Sequence, residues 1–301
     1  MIDSMTIFCP NQWVPSSRLG DATISGMGFE QRRLGSLRVK TTAEGTTIRG
    51  SLPKYLFGNN VATLDRDGLA AALTRLEEES GLDLTKSRVF QVEVGTTLHV
   101  ERAPSEYMAA WASISRTRKS TISDGDTVQF SNRTWSFIGY DKKKEVGAGP
   151  LPEGWGAGYG LRLELQLRRG LTRKFGESWN PWQIAEGSAF QLLVNEWGSK
   201  YHAIKKVPLM DAPTGDITPR RLDHYFAAVG ISTLGIDRAN SLITSMRAEG
   251  AIDRKQASRI RATIDRRIRD GHFARSDILT EEIDEKVNDI IKTALGNSSH
   301  A

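Results

Sequence analysis

The stretch LRLELQLRR, from position 161, restricts the fold of this chain more than any other. Leu161, Leu163, Leu165 and Leu167 alternate without a break with Arg162, Glu164, Gln166 and Arg168. A period of two is the signature of a β-strand that buries one face and leaves the other polar. A helix would smear these leucines around its circumference. The chain must therefore build a sheet with an apolar side and a side able to carry charge.

A second alternating stretch, SRVFQVEVGTTLHVE, runs from 87 to 101. Its pattern predicts that Phe90, Val92, Val94, Leu98 and Val100 share one face, and Gln91, Glu93, Thr97, His99 and Glu101 the other. TVQFS and TWSFIGY read as further strands, and residues 21 to 57 as strands joined by turns ending at Gly58-Asn59-Asn60. Helical spacing sets Leu69, Leu73 and Leu76 on one face between 66 and 80, with Gly81 as a stop. A second helix starts near Pro104. This order predicts an α/β fold of the α+β kind: a mostly antiparallel sheet with helices on one face. A Gly- and Pro-rich stretch from 146 to 160 reads as a loop.

Beyond about 180 the texture changes. NPWQIAEGSAFQLLVNEW reads as a helix, KKVPLMDAPTGDITP as a linker, and the remainder as helical. Asp237 is a candidate N-cap with Gly250 as its stop, and Asp253-Arg-Lys-Gln256 opens the next helix like a capping box. Ala257, Ile260, Ile264 and Ile268 form that helix's apolar stripe. The division expected is one domain over 1–205 and a helical domain over 215–301, the latter binding DNA or a second subunit. Residues 254–275 hold eight Lys or Arg and two Asp, a net +6, and the sign reverses from Asp277 to Asp289. A DNA-docking unit and a pair of helices matched by charge fit this equally well.

The chain of 301 residues carries 41 Lys and Arg against 36 Asp and Glu, a surplus of positive charge that suits a polyanionic partner without requiring one. Its single cysteine, Cys9, excludes an intrachain disulfide, and no Cys/His spacing suits structural zinc. No signal peptide or membrane-length apolar run is evident, so the expected compartment is a bacterial cytoplasm.

Chemistry concentrates in WSFIGYDKKKE, which holds Tyr-x-Lys-x-x-Glu at Tyr140, Lys142 and Glu145 where a strand gives way to a loop. Arg-x-Glu follows at Arg162 and Glu164 on a polar strand face, and GSLPKYLFGNN and FQVEVG precede it. From about Gly50 to Leu171 this ordered set resembles the gene II and gene X replication proteins of filamentous phages, and the related plasmid initiators that nick DNA with a tyrosine. The resemblance implies a rolling-circle nuclease-like fold with Tyr140 as nucleophile, Lys142 beside it, and Glu164 as the acidic residue of the Arg-x-Glu strand. It places Glu93 where the family usually carries Asp; the carboxylate is one methylene longer here and the family's neighbouring Arg is missing.

The chemistry is coherent on its own terms. A covalent phosphotyrosine conserves the energy of the cut phosphodiester, which water attack would lose. Only about one tyrosine in a thousand is ionised at neutral pH, so a cation must assist. Glu93, Glu164 and Glu145 offer hard oxygen ligands suited to Mg²⁺ or Mn²⁺. Lys54, Lys143, Lys144, Arg162, Arg168, Arg259, Arg266 and Arg267 are the expected DNA contacts, and Trp155 and Tyr159 candidate stacking residues. The expected partner is origin DNA, single-stranded or in a hairpin, with a host helicase or polymerase and a second subunit of a homodimer as further candidates.

A rival metal site lies at His99 and Glu101, two apart and so about 6.6 Å apart on one side of a strand. Glu93 and His99 lie about 20 Å apart along a strand and share no ion unless a bulge near Gly95 bends it. A plainer reading makes Glu93 and Glu164 a solvated or arginine-paired sheet face. The alternative function is a non-catalytic DNA-binding regulator of a mobile element; a transposase or relaxase would share the chemistry and differ in substrate.

Overall fold

The computed structural model describes residues 1–26, 28–122, 125–147, 158–168, 171–206, 209–210, 218–219, 223, 226–227, 230, 236–269, 274–275 and 278–296. Its order is β1 (Ile2–Pro10), β2 (Ile24–Gly26), β3 (Phe29–Leu34), β4 (Leu37–Thr42), β5 (Gly45–Ser51), α1 (Leu52–Phe57), α2 (Arg66–Ser80), β6 (Arg88–Val100), α3 (Pro104–Ala109), β7 (Trp111–Ser113), β8 (Arg118–Ile122), β9 (Thr127–Ser131), β10 (Trp135–Asp141), α4 (Lys142–Val146), β11 (Tyr159–Leu167), α5 (Leu171–Phe175), α6 (Pro181–Ala185) and α7 (Ser188–His202). Helices Ile236–Ala248, Arg254–Arg269 and Ile278–Gly296 follow.

Among the described residues, ten strands form one sheet in the order β2-β3-β4-β5-β1-β6-β11-β10-β9-β8, each pair antiparallel. Three pairings are remote in sequence: β1 with β5, β1 with β6, and β6 with β11. The protein is thus mixed α/β with a large antiparallel sheet and helices, including one near its C-terminus. The alternation does its expected work in β11, where Leu161, Leu163 and Leu165 are wholly buried. They meet Leu69, Leu73 and Leu76 of α2 and Phe190, Leu193 and Trp197 of α7 in one core. Burying each such side chain contributes about 1.5–3 kcal/mol. The Trp197 indole N–H also donates to the Leu163 carbonyl at 3.3 Å.

Local chemistry sets the ends of the helices. Asp65 caps α2 by accepting from the Gly68 N–H at 2.8 Å. The capping box at Asp253 forms: Asp253 N–H donates to Gln256 at 2.8 Å, and Gln256 N–H donates back at 2.6 Å. In the stripe of that helix Ala257 and Ile264 are buried with Ala239 and Ile243, while Ile260 is exposed. The side chain of Ile268 lies outside the described residues.

Several sequence expectations are corrected. The segment up to Phe57 is not all strand: Ser51 caps α1, with Pro53 in its first turn, where a missing N–H costs nothing. The helix at Pro104 ends at Ala109 and gives way to β7. NPWQIAEGSAFQLLVNEW forms two helices, broken at Gly187 with φ of 140°. Asp237 lies inside its helix rather than capping it. Phe90 leaves the apolar face: a register shift between Thr6 and Ile7 inserts a residue, so Val89 turns inward and Phe90 is 51% exposed. Most of the 146–160 loop, with Trp155, and most of the 205–219 linker lie outside the described residues.

The last helix buries Leu279, Ile283 and Val287 in the same core as the sheet. Its Glu282 accepts from the Tyr107 hydroxyl at 2.5 Å and its Asp284 from the Tyr201 hydroxyl at 2.6 Å. No helix among the described residues is long and apolar enough to cross a membrane.

Candidate metal and nucleophile site

The polar face of the central strands converges on three carboxylates. Register fixes two of them. Gln166 of β11 lies opposite Glu93 of β6, and Glu164 lies opposite Gly95. The Gly95 position has no room for a side chain: a Cβ there would sit 2.6 Å from the Leu163 carbonyl and 2.9 Å from Glu164 Cγ. Glycine at 95 is what lets the Glu164 side chain lie across the strand.

The third carboxylate is Asp3, which the sequence reading missed. Simple alternation pairs Asp3 with Met5, Ile7 and Cys9 on the apolar side. The structure instead shows a register shift between Ile2 and Ser4, where β1 meets β6 at Glu93. Asp3 is the inserted residue, and the bulge re-aims it toward the polar face. Each of Asp3, Glu93 and Glu164 offers a carboxylate oxygen, and the three oxygens lie within 4.8 Å of one another.

Arg162 sits at the centre of this cluster, fully buried. Its Nε donates to Glu164 Oε1 at 3.0 Å, Nη1 to Thr97 Oγ1 at 3.2 Å, and Nη2 to Asp3 Oδ2. Asp3 Oδ1 also accepts from Ser51 Oγ at 3.0 Å. The Tyr140 hydroxyl donates to Glu164 Oε1 at 2.8 Å, across the β10–β11 pair in which Tyr140 opposes Arg162.

Electrostatics follow from burial and crowding. Desolvation raises the Glu93 carboxyl above its ordinary value, opposed by a hydrogen bond from Ser4 and reinforced by the Asp3 charge. Desolvation also raises Glu164, and Arg162 opposes it. Burial works against the charge on Arg162, but Asp3 and Glu164 outweigh it and hold the guanidinium above its usual value. Burial first, then the Glu164 charge, push the Tyr140 phenol well above its ordinary range. The donor set suits a hard divalent cation: three carboxylates around one guanidinium leave two surplus negative charges, all on oxygen.

No family model matches the chain, and no curated protein matches its sequence.

The other predicted residues are dispersed. Lys142 is fully buried, with Nζ 2.6 Å from Glu145 Oε2 and 5.8 Å from the Tyr140 ring centroid. Its contact with Glu145 is an ion pair without hydrogen-bond geometry. Glu145 therefore stays with Lys142 on α4, apart from the three carboxylates. With Tyr140, Asp126, Thr127, Asp141 and Lys144 it lines an open groove of about 410 Å³. Lys144 pairs with Asp126 at 2.7 Å, and Lys143 donates to the Gly158 carbonyl at 3.5 Å. His99 is exposed opposite Gly160, and Glu101 is exposed at the end of β6 with its N–H donating to Glu282 at 3.3 Å; neither joins the carboxylate cluster.

Arg162, expected at a DNA surface, is wholly buried and serves the carboxylates because alternation set it beside Glu164. Lys54, Arg168, Arg259 and Arg266 are exposed, and Tyr159 is 38% exposed at the start of β11. The side chain of Arg267 lies outside the described residues.

Proposed function

We propose that this protein cuts one strand of DNA with Tyr140 and remains joined to the 5′ side of the cut, as a rolling-circle replication initiator does. The observation that carries the reading is the Tyr140 hydroxyl, 2.8 Å from Glu164 within a cluster of three carboxylates, at the edge of an open groove. The antiparallel sheet with acids on its polar face supports a rolling-circle nuclease-like fold.

Asp3, Glu93 and Glu164 would hold Mg²⁺ or Mn²⁺, which when bound offsets negative charge on the scissile phosphate. Glu164 Oε1 takes the phenolic proton along the existing hydrogen bond. The Tyr140 oxygen then forms the bond to phosphorus, the bond to the 3′ oxygen breaks, and that oxygen takes the proton held on Glu164 and leaves as a free 3′-OH. The reverse attack would reseal a strand. Arg162 holds Glu164 and Asp3 in place.

The test is a cleavage assay on supercoiled and single-stranded origin DNA with Mn²⁺ or Mg²⁺, with and without EDTA, and products run before and after protease. Wild type should nick and leave protein on the 5′ end, and Tyr140→Phe should do neither. Nicking that survives Tyr140→Phe sinks the tyrosine mechanism. DNA binding without cleavage on a verified origin would favour the non-catalytic regulator.

A further inference from the structure

The polar face of the sheet carries a second feature, away from the carboxylates. Arg33 of β3 lies directly opposite Arg38 of β4, and Arg38 directly opposite Arg49 of β5. The row continues in register through Thr6 and Gln91. Gln91 then donates to the Arg168 carbonyl at 3.3 Å. All four arginines are exposed. Neighbouring strands are about 4.8 Å apart, so the first three guanidinium stems stand within about 10 Å of one another. Like charges directly opposite each other destabilise a sheet. Among the described residues no acid pairs with Arg33 or Arg38, and Arg49 feels the charge of Glu93, which lies two strands away on β6. The fold therefore maintains a row of positive charge that works against its own stability and crosses β6 at Gln91, two residues from Glu93.

Beside the row, two residues further along β1, is an aromatic pair. The bulge that turns Phe90 outward brings its ring 5.9 Å from that of Phe8, and Phe90 is 51% exposed. An apolar ring held on a polar face by a bulge has no role in the core. Opposed guanidinium groups flanked by one exposed ring, Phe90, and one half-buried ring, Phe8, match a ligand with repeating anionic groups and flat, unpaired π faces. We infer that this face is a track for single-stranded nucleic acid, with Arg33, Arg38 and Arg49 on its phosphates and Phe8 and Phe90 stacking its bases. The inference rests on the nicking reading only in identifying the bound strand as the one presented to Tyr140. A duplex keeps its bases stacked internally and would use the arginines alone.

Binding of a fluorescein-labelled thymidine oligonucleotide to the full chain in EDTA tests the track without any cutting. Fluorescence anisotropy would be recorded across a salt series, with a labelled duplex in parallel. The double variant Arg33→Gln/Arg38→Gln should flatten the dependence of log affinity on log salt by about 0.7 for each charge removed. Phe90→Ala should weaken single-strand binding roughly tenfold, leave the salt slope unchanged and leave duplex binding untouched. Removing two opposed like charges should not lower the melting temperature. Unchanged affinity and slope, a loss that only follows a lower melting temperature, or an equal Phe90→Ala loss on duplex overturns the inference. Because these measurements require no cleavage, they can fail while nicking succeeds, and nicking can fail while they succeed.

Discussion

Arg162 carries more of this site than any other single residue. It is fully buried and bonded to Asp3, Glu164 and Thr97, so removing it strands two carboxylates without a counter-charge. Arg162→Met should cost about 3–5 kcal/mol in urea unfolding, far more than loss of an exposed pair such as Arg75–Glu79. A loss under about 1 kcal/mol would show that the cluster is largely hydrated. The raised carboxyls Glu93 and Glu164 give a second expectation. Each holds its proton more tightly in the folded protein than in the unfolded chain. As pH rises past the ordinary carboxylate range the unfolded chain ionises first, so both groups subtract stability from there upward. A divalent cation removes that penalty. Added Mn²⁺ should raise the melting temperature at about pH 7 and do so much less at about pH 5, where protons compete. Scanning calorimetry at the two values would decide it; no shift at either pH argues against the metal site. Glu93 and Glu164 were legible because alternation assigns them to the polar face. Asp3 was not, because a bulge is a defect in the very periodicity that the reading relies on.

At the level of strands and helices, glycine and bulges decide where side chains go. Gly95→Ala would drive a methyl into the Leu163 carbonyl and Glu164. It should lower stability by about 1–3 kcal/mol and reduce or abolish the Mn²⁺-induced rise in melting temperature, since Glu164 must move. Retention of the full metal effect would show that Glu164 is not a ligand. Strands with clean alternation, β11 above all, were readable in type and facing. The Phe90 shift was not, because one inserted residue reverses the facing on one side of it, here residues 88–90, and leaves Val92 to Val100 as expected. The α1 helix was hidden for a different reason. Leu52–Phe57 is too short to show a helical period, and its start depends on the Ser51 cap and Pro53. By contrast the Asp253–Gln256 box was legible, since its residue types and spacing are the whole signal.

Across the whole molecule, the last helix and the sheet share one core. Ile283 and Val287 are buried among residues of the sheet and α7, and the Gly198 position lies against Ile291, where a Cβ would approach Cδ1 to 2.4 Å. Ile283→Ala should cost about 2–5 kcal/mol and shift the unfolding midpoint of the entire protein rather than add a separate early transition, as circular dichroism and tryptophan fluorescence in urea would show together. Two separate transitions would mean that the last helix melts independently. The sequence marked residues 278–296 as helical but not what they dock on, because docking depends on contacts with Tyr107 and Tyr201 far away in the chain. That long-range closure bears on synthesis. While the ribosome is still making the 254–269 helix, Tyr201 and the surface at Gly198 lack their cover, and the core beneath the sheet is incomplete. If the protein nicks DNA as proposed, a nascent chain is expected to cut poorly until the 278–296 helix has emerged and docks.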